Sequence, residues 1–276
     1  TDGVKIGGIN NGFKNASEWT DNNESFSVAS QDTVPAGVAF NNTGTKMYVV
    51  GYGNDTVHQY TLSTAFDVTT ASYDSVSFSV SSQDGTPFTV KFNPDGTKMY
   101  IVGNTNDNVF QYTLTTAFDI STALYATSFS FSSQTTTVTG LAFNNDGTKM
   151  YTLNYGSAIG LQYSLSTAYD VSTASYDSVT FSFGTQDTSP RDIIFNTDGT
   201  KIYMLGNAQI DIFQYTLSTA YDISSASYDS ENFSLNATQT SPLGMAINST
   251  GTRFYVVGNG SDAVYQYETG TAYAPT

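Results

Sequence analysis

The tripeptide Gly-Thr-Lys/Arg recurs five times, at Gly44-Thr45-Lys46, Gly96-Thr97-Lys98, Gly147-Thr148-Lys149, Gly199-Thr200-Lys201 and Gly251-Thr252-Arg253, with spacings of 52, 51, 52 and 52 residues. Short hydrophobic β-type stretches hang on each copy at fixed offsets. The unit is therefore a small sheet that cannot bury its own faces and must stack on its neighbours. A chain of 276 residues has room for two ordinary domains, but the unbroken repeat predicts one closed body with a shared core.

The second copy shows the unit. Thr86-Pro87-Phe88-Thr89-Val90-Lys91-Phe92 reads as a strand opened by Pro, where a missing N–H costs least. Asn93-Pro94-Asp95-Gly96 is a tight turn and Lys98–Gly103 the return strand. Asn108–Leu114 is a third strand, and Thr127–Ser132 a fourth whose apolar/polar alternation marks a sheet wet on one side. Four antiparallel strands per repeat predict an all-β, five-bladed β-propeller. The fifth copy stops without its outer Phe-Ser strand, whereas Glu24–Ser30 precedes the first copy and matches that strand. The N-terminal strand is expected to complete the last blade and close the ring. The propeller is assigned to residues 24–270, with an N-terminal arm or linker over 1–23 and a C-terminal tail over 271–276.

The stretch Phe92-Asn93-Pro94-Asp95-Gly96-Thr97-Lys98-Met99-Tyr100-Ile101-Val102-Gly103 resembles the repeat of the YVTN and related WD40-like propellers. With Gln111-Tyr112-Thr113-Leu114 and Thr116-Ala117-Phe118-Asp119 added, it is similar to propeller repeats of surface or virion proteins of marine bacteria and their phages. The resemblance spans residues 25–270 and implies a fold; propellers host lactonases, lectins, adhesins and plain scaffolds alike. In blade number only, the chain is also similar to lectins of the tachylectin type.

Composition narrows the partners. The formal charge of −15 repels phosphate backbones and anionic membranes, so neither nucleic acid nor membrane insertion is expected. The absence of cysteine excludes disulfides, thiolate metal sites and a Cys nucleophile. Because the chain begins with Thr1, it is expected to be a processed product or an excised piece.

The only histidine, His58, occupies a slot filled by Phe110, Leu161, Phe213 and Tyr265 in the other copies, which predicts a packed side chain rather than a catalytic one. Asp95, Asp146 and Asp198 precede the repeated Gly as turn caps, and Asp67, Asp119, Asp170 and Asp222 are expected to cap a helical turn. No cofactor is expected; calcium in an oxygen-rich loop is the remaining alternative, without an EF-hand pattern. The recurring tyrosines, among them Tyr48, Tyr100, Tyr151, Tyr203 and Tyr255, read as packing between blades.

Function is expected where the copies differ. The loops between second and third strands carry Tyr52, Asn54, Asp55, Asn106, Asp107, Tyr155, Gln209, Asn259 and Asp262. The links into each first strand, on the same face, carry Gln31, Gln83, Gln134, Gln186 and Gln239. Amides, carboxylates and tyrosine on one rim suit sugar hydroxyls, with ring stacking on Tyr52 or Tyr155. The sequence reading is a non-enzymatic recognition or display module, extracellular or on a virion surface, binding a glycan or a protein receptor and able to form a homo-oligomer or larger assembly. A structural decoration protein and a lactonase-like propeller hydrolase are the alternatives. Catalysis is not expected, because no asymmetric carboxylate pair stands out from the repeats.

Overall fold

The Asn-x-x-Gly-Thr-Lys turns show why the repeat is so regular. In the second copy the Asn93 carbonyl accepts from Gly96 N at 3.0 Å, while its side-chain Oδ1 accepts from Lys98 N at 2.9 Å. Asp95 Oδ1 accepts from Thr97 N at 2.9 Å. Gly96 has φ of +72°, and a Cβ there would lie 2.2 Å from the Phe118 ring, so both backbone and space demand glycine.

The computed structural model describes residues 16–235 and 238–269. The outer strand β1 is Thr20–Ser27. The first blade follows as β2 (Pro35–Phe40), β3 (Lys46–Gly51), β4 (Thr56–Leu62) and β5 (Ala71–Ser79). The second holds β6 (Pro87–Phe92), β7 (Lys98–Gly103), β8 (Asn108–Leu114) and β9 (Ala123–Ser130). The third holds β10 (Val138–Phe143), β11 (Lys149–Asn154), β12 (Ile159–Leu165) and β13 (Ala174–Ser182). The fourth holds β14 (Pro190–Phe195), β15 (Lys201–Gly206), β16 (Asp211–Leu217) and β17 (Ala226–Ser234). The fifth is β18 (Pro242–Ile247), β19 (Arg253–Gly258) and β20 (Ala263–Glu268), completed by β1 in the order β1-β20-β19-β18. Five four-stranded antiparallel sheets make this an all-β, five-bladed propeller. Closure is by the N-terminal strand, with Glu24 opposite Gln266 and Phe26 opposite Val264. The tail over 271–276 and the arm up to residue 15 lie outside the described residues.

The core lies between blades rather than within them. One cluster joins Tyr48 and Val50 of the first blade to Met99 and Ile101 of the second; four similar clusters repeat around the ring. Tyr48, Tyr100, Tyr151 and Tyr255 are fully buried, and each donates its hydroxyl to a backbone carbonyl of a neighbouring blade, at Phe118, Tyr169, Tyr221 and Phe66 respectively. Each ring thus buries its apolar body, worth about 1.5–3 kcal/mol for a side chain of this class, without stranding its hydroxyl.

A second tie is polar. Gln59, Gln111, Gln162 and Gln266 accept through Oε1 from Ile120 N, Val171 N, Ile223 N and Val68 N at 3.0–3.4 Å. Those acceptances reach three-residue 3-10 turns that are N-capped by Asp119, Asp170, Asp222 and Asp67. Gln214 finds its donor in Ala16 N at 3.2 Å. The 3-10 turn Ala16–Glu18 therefore takes the place of the missing fifth turn, and Trp19 packs within 5.0–5.8 Å of Phe254, Tyr203 and Phe233.

Candidate functional site

The five first strands, β2, β6, β10, β14 and β18, line a central channel. The links into them and the loops between second and third strands crowd one end of it, here the rim end. Most rim residues singled out from the sequence hold these loops in place. Asn54 and Asn106 donate through Nδ2 to the Gln31 and Gln83 carbonyls at 2.7 and 2.6 Å. Asp55, Asp107 and Asp262 have φ near +50° (52°, 52° and 49°), and their carbonyls accept from Val80 N, Phe131 N and Val28 N at 2.8 Å. Gln31, Gln83 and Gln186 accept from the hydroxyls of Tyr60, Tyr112 and Tyr215 at 3.2–3.4 Å. Gln134 is half-buried, and Gln209 is exposed with its N–H held by Asp187 at 2.8 Å.

Gln239 breaks the alignment. Thr238 rather than Gln239 meets the matching tyrosine, Tyr267, at 2.7 Å. Gln239 is fully buried, and its N–H bonds the Leu235 carbonyl as Asp32, Asp84, Thr135 and Asp187 bond theirs. Those aspartates are loop organisers: Asp32 accepts from Val34 N at 2.6 Å and Asn54 N at 3.3 Å. Burial pushes the carboxyl of Asp55 up, helped by Asp84 and Asp32, and does the same at Asp107 beside Asp84 and at Asp262 beside Asp32.

Tyr52 and Tyr155 are the rim residues that reach the channel mouth. Each first strand opens with a β-bulge, at Ala36, Phe88, Gly140, Arg191 and Leu243, and the bulge turns that residue toward the channel. Ala36, Phe88 and Leu243 pack together with Tyr52 against them, Tyr52 meeting Phe88 edge-on at 5.4 Å. Asn259 Nδ2 donates to the Tyr52 hydroxyl at 3.4 Å. Arg191 lies with its guanidinium carbon 4.6 Å from the Tyr155 ring centroid. Burial lowers the Arg191 pKa, opposed by Tyr155, Tyr52 and Asp187.

Midway along the channel the five-fold pattern fails again. Lys91 of the second blade crosses to Asp192 of the fourth, Nζ to Oδ2 at 3.2 Å, and also donates to the Met245 carbonyl of the fifth at 3.2 Å. Asp192 is 1% exposed and accepts from Ile193 N at 2.9 Å and Met245 N at 3.0 Å. A buried ion pair of this kind stands only because both carboxylate oxygens find donors, one at Oδ1 and two at Oδ2. The positions equivalent to Lys91 are Ala39, Ala142, Ile194 and Ala246.

Beyond Lys91 the channel opens into a cavity of about 530 Å³ at the turn end. Its walls are Phe40, Phe92, Phe143 and Phe195 with the amides of Asn42, Asn145 and Asn248, and among the described residues Lys91 is the only charged group lining it. An ammonium has three donors. Asp192 and Met245 take two at Lys91, which leaves one for an oxygen in the cavity.

Lys91, Arg191 and Asp192 belong to none of the motifs above, yet the sequence carries a signal for the two cations. Of the nine cationic residues, five belong to the repeated turn and Lys5 and Lys14 precede the described region; the other two are Lys91 and Arg191. His58 is packed as expected, near Asn54 Nδ2 at 3.3 Å and edge-on to Tyr73 at 5.8 Å, and burial lowers its pKa. Among the described residues no three His, Cys, Asp or Glu side chains gather as a metal site.

No family model and no curated protein matches the chain. Among solved structures, a luciferin-regenerating enzyme matches with a TM-score of 0.54 and 15% identity over 91% of this chain and 97% of that one. A structure assigned provisionally as a 6-phosphogluconolactonase of Bacteroides uniformis gives 0.52 and 15%, over 85% and 67%. A second such structure, of Bacteroides fragilis, gives 0.52 and 12%, over 72% of this chain and 55% of that one. The chain thus spans little more than half the length of the Bacteroides fragilis protein. At such identities the likeness is one of fold. It nevertheless corrects the expectation of a non-enzymatic module: the fold is shared with proteins named for catalysis, so it gives no ground for setting an enzyme aside. The comparisons lend no support to virion display, adhesion or carbohydrate binding.

Proposed function

We propose that this chain is a propeller hydrolase of lactonase type, taking a small oxygen-rich ring ester into the turn-end cavity. The observation that carries the reading is the single ion pair at the floor of that cavity, in a channel whose other blades offer Ala or Ile at the position of Lys91. Its volume falls in the range of small-molecule sites, about 300–1,000 Å³. The phenylalanines would cover the faces of a ring, and the side-chain carbonyls of Asn42 and Asn145, whose amide nitrogens bond the Pro94 and Thr197 carbonyls, would meet its hydroxyls. The free N–H of Lys91 would donate to the lactone carbonyl oxygen as it gains negative charge. Water adds to the carbonyl carbon, the ring C–O bond breaks, and the proton from water ends on the ring oxygen, giving the hydroxy acid. Asp192 positions Lys91 rather than touching substrate.

Among the described residues the cavity walls present no carboxylate or imidazole, so this lining supplies charge stabilisation without a general base. Hydrolysis above the uncatalysed rate is expected for aldonolactones, with or without a phosphate. Its kcat should rise with pH through neutrality without a carboxylate titration. Lys91→Met should lower kcat by about 10²–10³-fold, the usual loss for one such donor. No turnover of any lactone by the intact protein, or full activity in Lys91→Met, would reject the reading.

A further inference from the structure

The strongest unassigned feature is the rim-end mouth, separated from the cavity by the Lys91–Asp192 bridge. The Arg191 side chain makes no hydrogen bond or ion pair with any described residue, and its Nε is shut away from solvent without a partner. Guanidinium groups carry five donors in a rigid plane, and leaving them unmatched near a buried wall is costly. The nearby carboxylate of Asp187 cannot serve, because it is 1% exposed and already accepts from Ser189 N at 2.6 Å and Gln209 N at 2.8 Å. The guanidinium lies over the Tyr155 ring and feels the Tyr52 hydroxyl, and Tyr52 in turn packs on the apolar group of Ala36, Phe88 and Leu243. The third blade's bulge is Gly140, which adds no side chain.

We propose that this mouth is a binding site for a small flat carboxylate, the carboxylate paired to Arg191 and its planar body against Tyr52, Tyr155 and Phe88. The fork of Arg191 matches a carboxylate in two parallel hydrogen bonds. The apolar group favours a ring over a bare inorganic anion. The surrounding acidic rim, with Asp32, Asp55 and Asp262 on the same end and a chain charge of −15, disfavours a polyanion. The site is independent of the cavity reading, since it shares no residue with it.

The test uses benzoate as the probe and benzamide as its neutral isostere, titrated into the intact protein and followed by NMR. Benzoate should bind in the millimolar range or tighter and benzamide at least about tenfold more weakly, the fold-change expected for a charge-assisted pair. Arg191→Gln should abolish benzoate binding while leaving the melting temperature unchanged or higher, because it removes an unmatched cation. Arg191→Lys should bind less well than wild type, having lost the planar fork. Equal binding of the two probes, no benzoate binding by wild type, or undiminished binding in Arg191→Gln would overturn the proposal. So would a loss of thermal stability in Arg191→Gln, which would make the Tyr155 contact a structural one.

Discussion

Lys91 and Asp192 are each other's reason for being tolerated inside the channel. Lys91→Met alone leaves the buried Asp192 carboxylate without its cation, a change that costs about 3–5 kcal/mol in comparable cases. Pairing it with Asp192→Asn should recover much of that stability in chemical denaturation while leaving hydrolysis low, which separates the role in folding from the role in chemistry. The carboxylates elsewhere divide by sign. Burial works to raise Asp74, Asp177 and Asp229, but hydrogen bonds from Lys46, Lys149 and Lys201 and their neighbours outweigh it and hold them low. Their contribution is present above the unfolded carboxylate pKa, about 3.9, and is lost as pH falls through the lower folded value. Asp55, Asp107 and Asp262 are raised, so theirs is present in acid and lost as pH climbs through the folded value. Asp55→Asn, which keeps a residue tolerant of positive φ, should raise the melting temperature at pH near 7 and leave it unchanged near pH 3. His58→Phe should fold and melt close to wild type, since Phe110 and Phe213 already fill that slot in other blades.

At the scale of elements, the turn and the 3-10 cap are the repeated devices. Gly96→Ala forces a left-handed φ of +72° on a residue with a Cβ and drives that Cβ into Phe118, so it should cost more than about 1 kcal/mol. Asp119 accepts from Ser121 N at 3.0 Å as N-cap of the turn that Gln59 bonds across the blade boundary. Asp119→Ala should therefore cost about 0.5–2 kcal/mol, measured by denaturant midpoint.

For the whole molecule, stability depends on closing the ring. Deleting residues 1–30 removes β1, exposes the edge of β20, and strips Ala16 and Trp19 from the seam between fourth and fifth blades. Most of the folding free energy should go with it. A truncated protein that melts at the wild-type temperature would show that the ring does not need this strand. Trp19, the one tryptophan, sits in that seam, so its fluorescence should report opening of the ring no later than far-ultraviolet dichroism reports loss of strands.

Blade number, strand count and the closing strand were legible in the chain, because each of these rests on local chemistry repeated at a fixed period. Asn93, Asp95 and Gly96 make their turn within a few residues, and alternation writes the outer strand directly into Ser and Phe. The packing of His58 was legible too, from the apolar residues in the same slot. Other features depend on distance in the fold. Lys91 meets Asp192 across 101 residues, and Arg191 reaches the mouth only because a bulge turns one residue out of the strand's alternation. Ala16 does the work of Val68 or Ile120 through its backbone N–H, which leaves no side-chain signature to align. Gln239 looked like Gln31 by name, yet the register of the fifth link put it in the place of Asp32. These features arise only on folding, since closing five similar sheets around one axis brings unlike residues together where local rules say nothing.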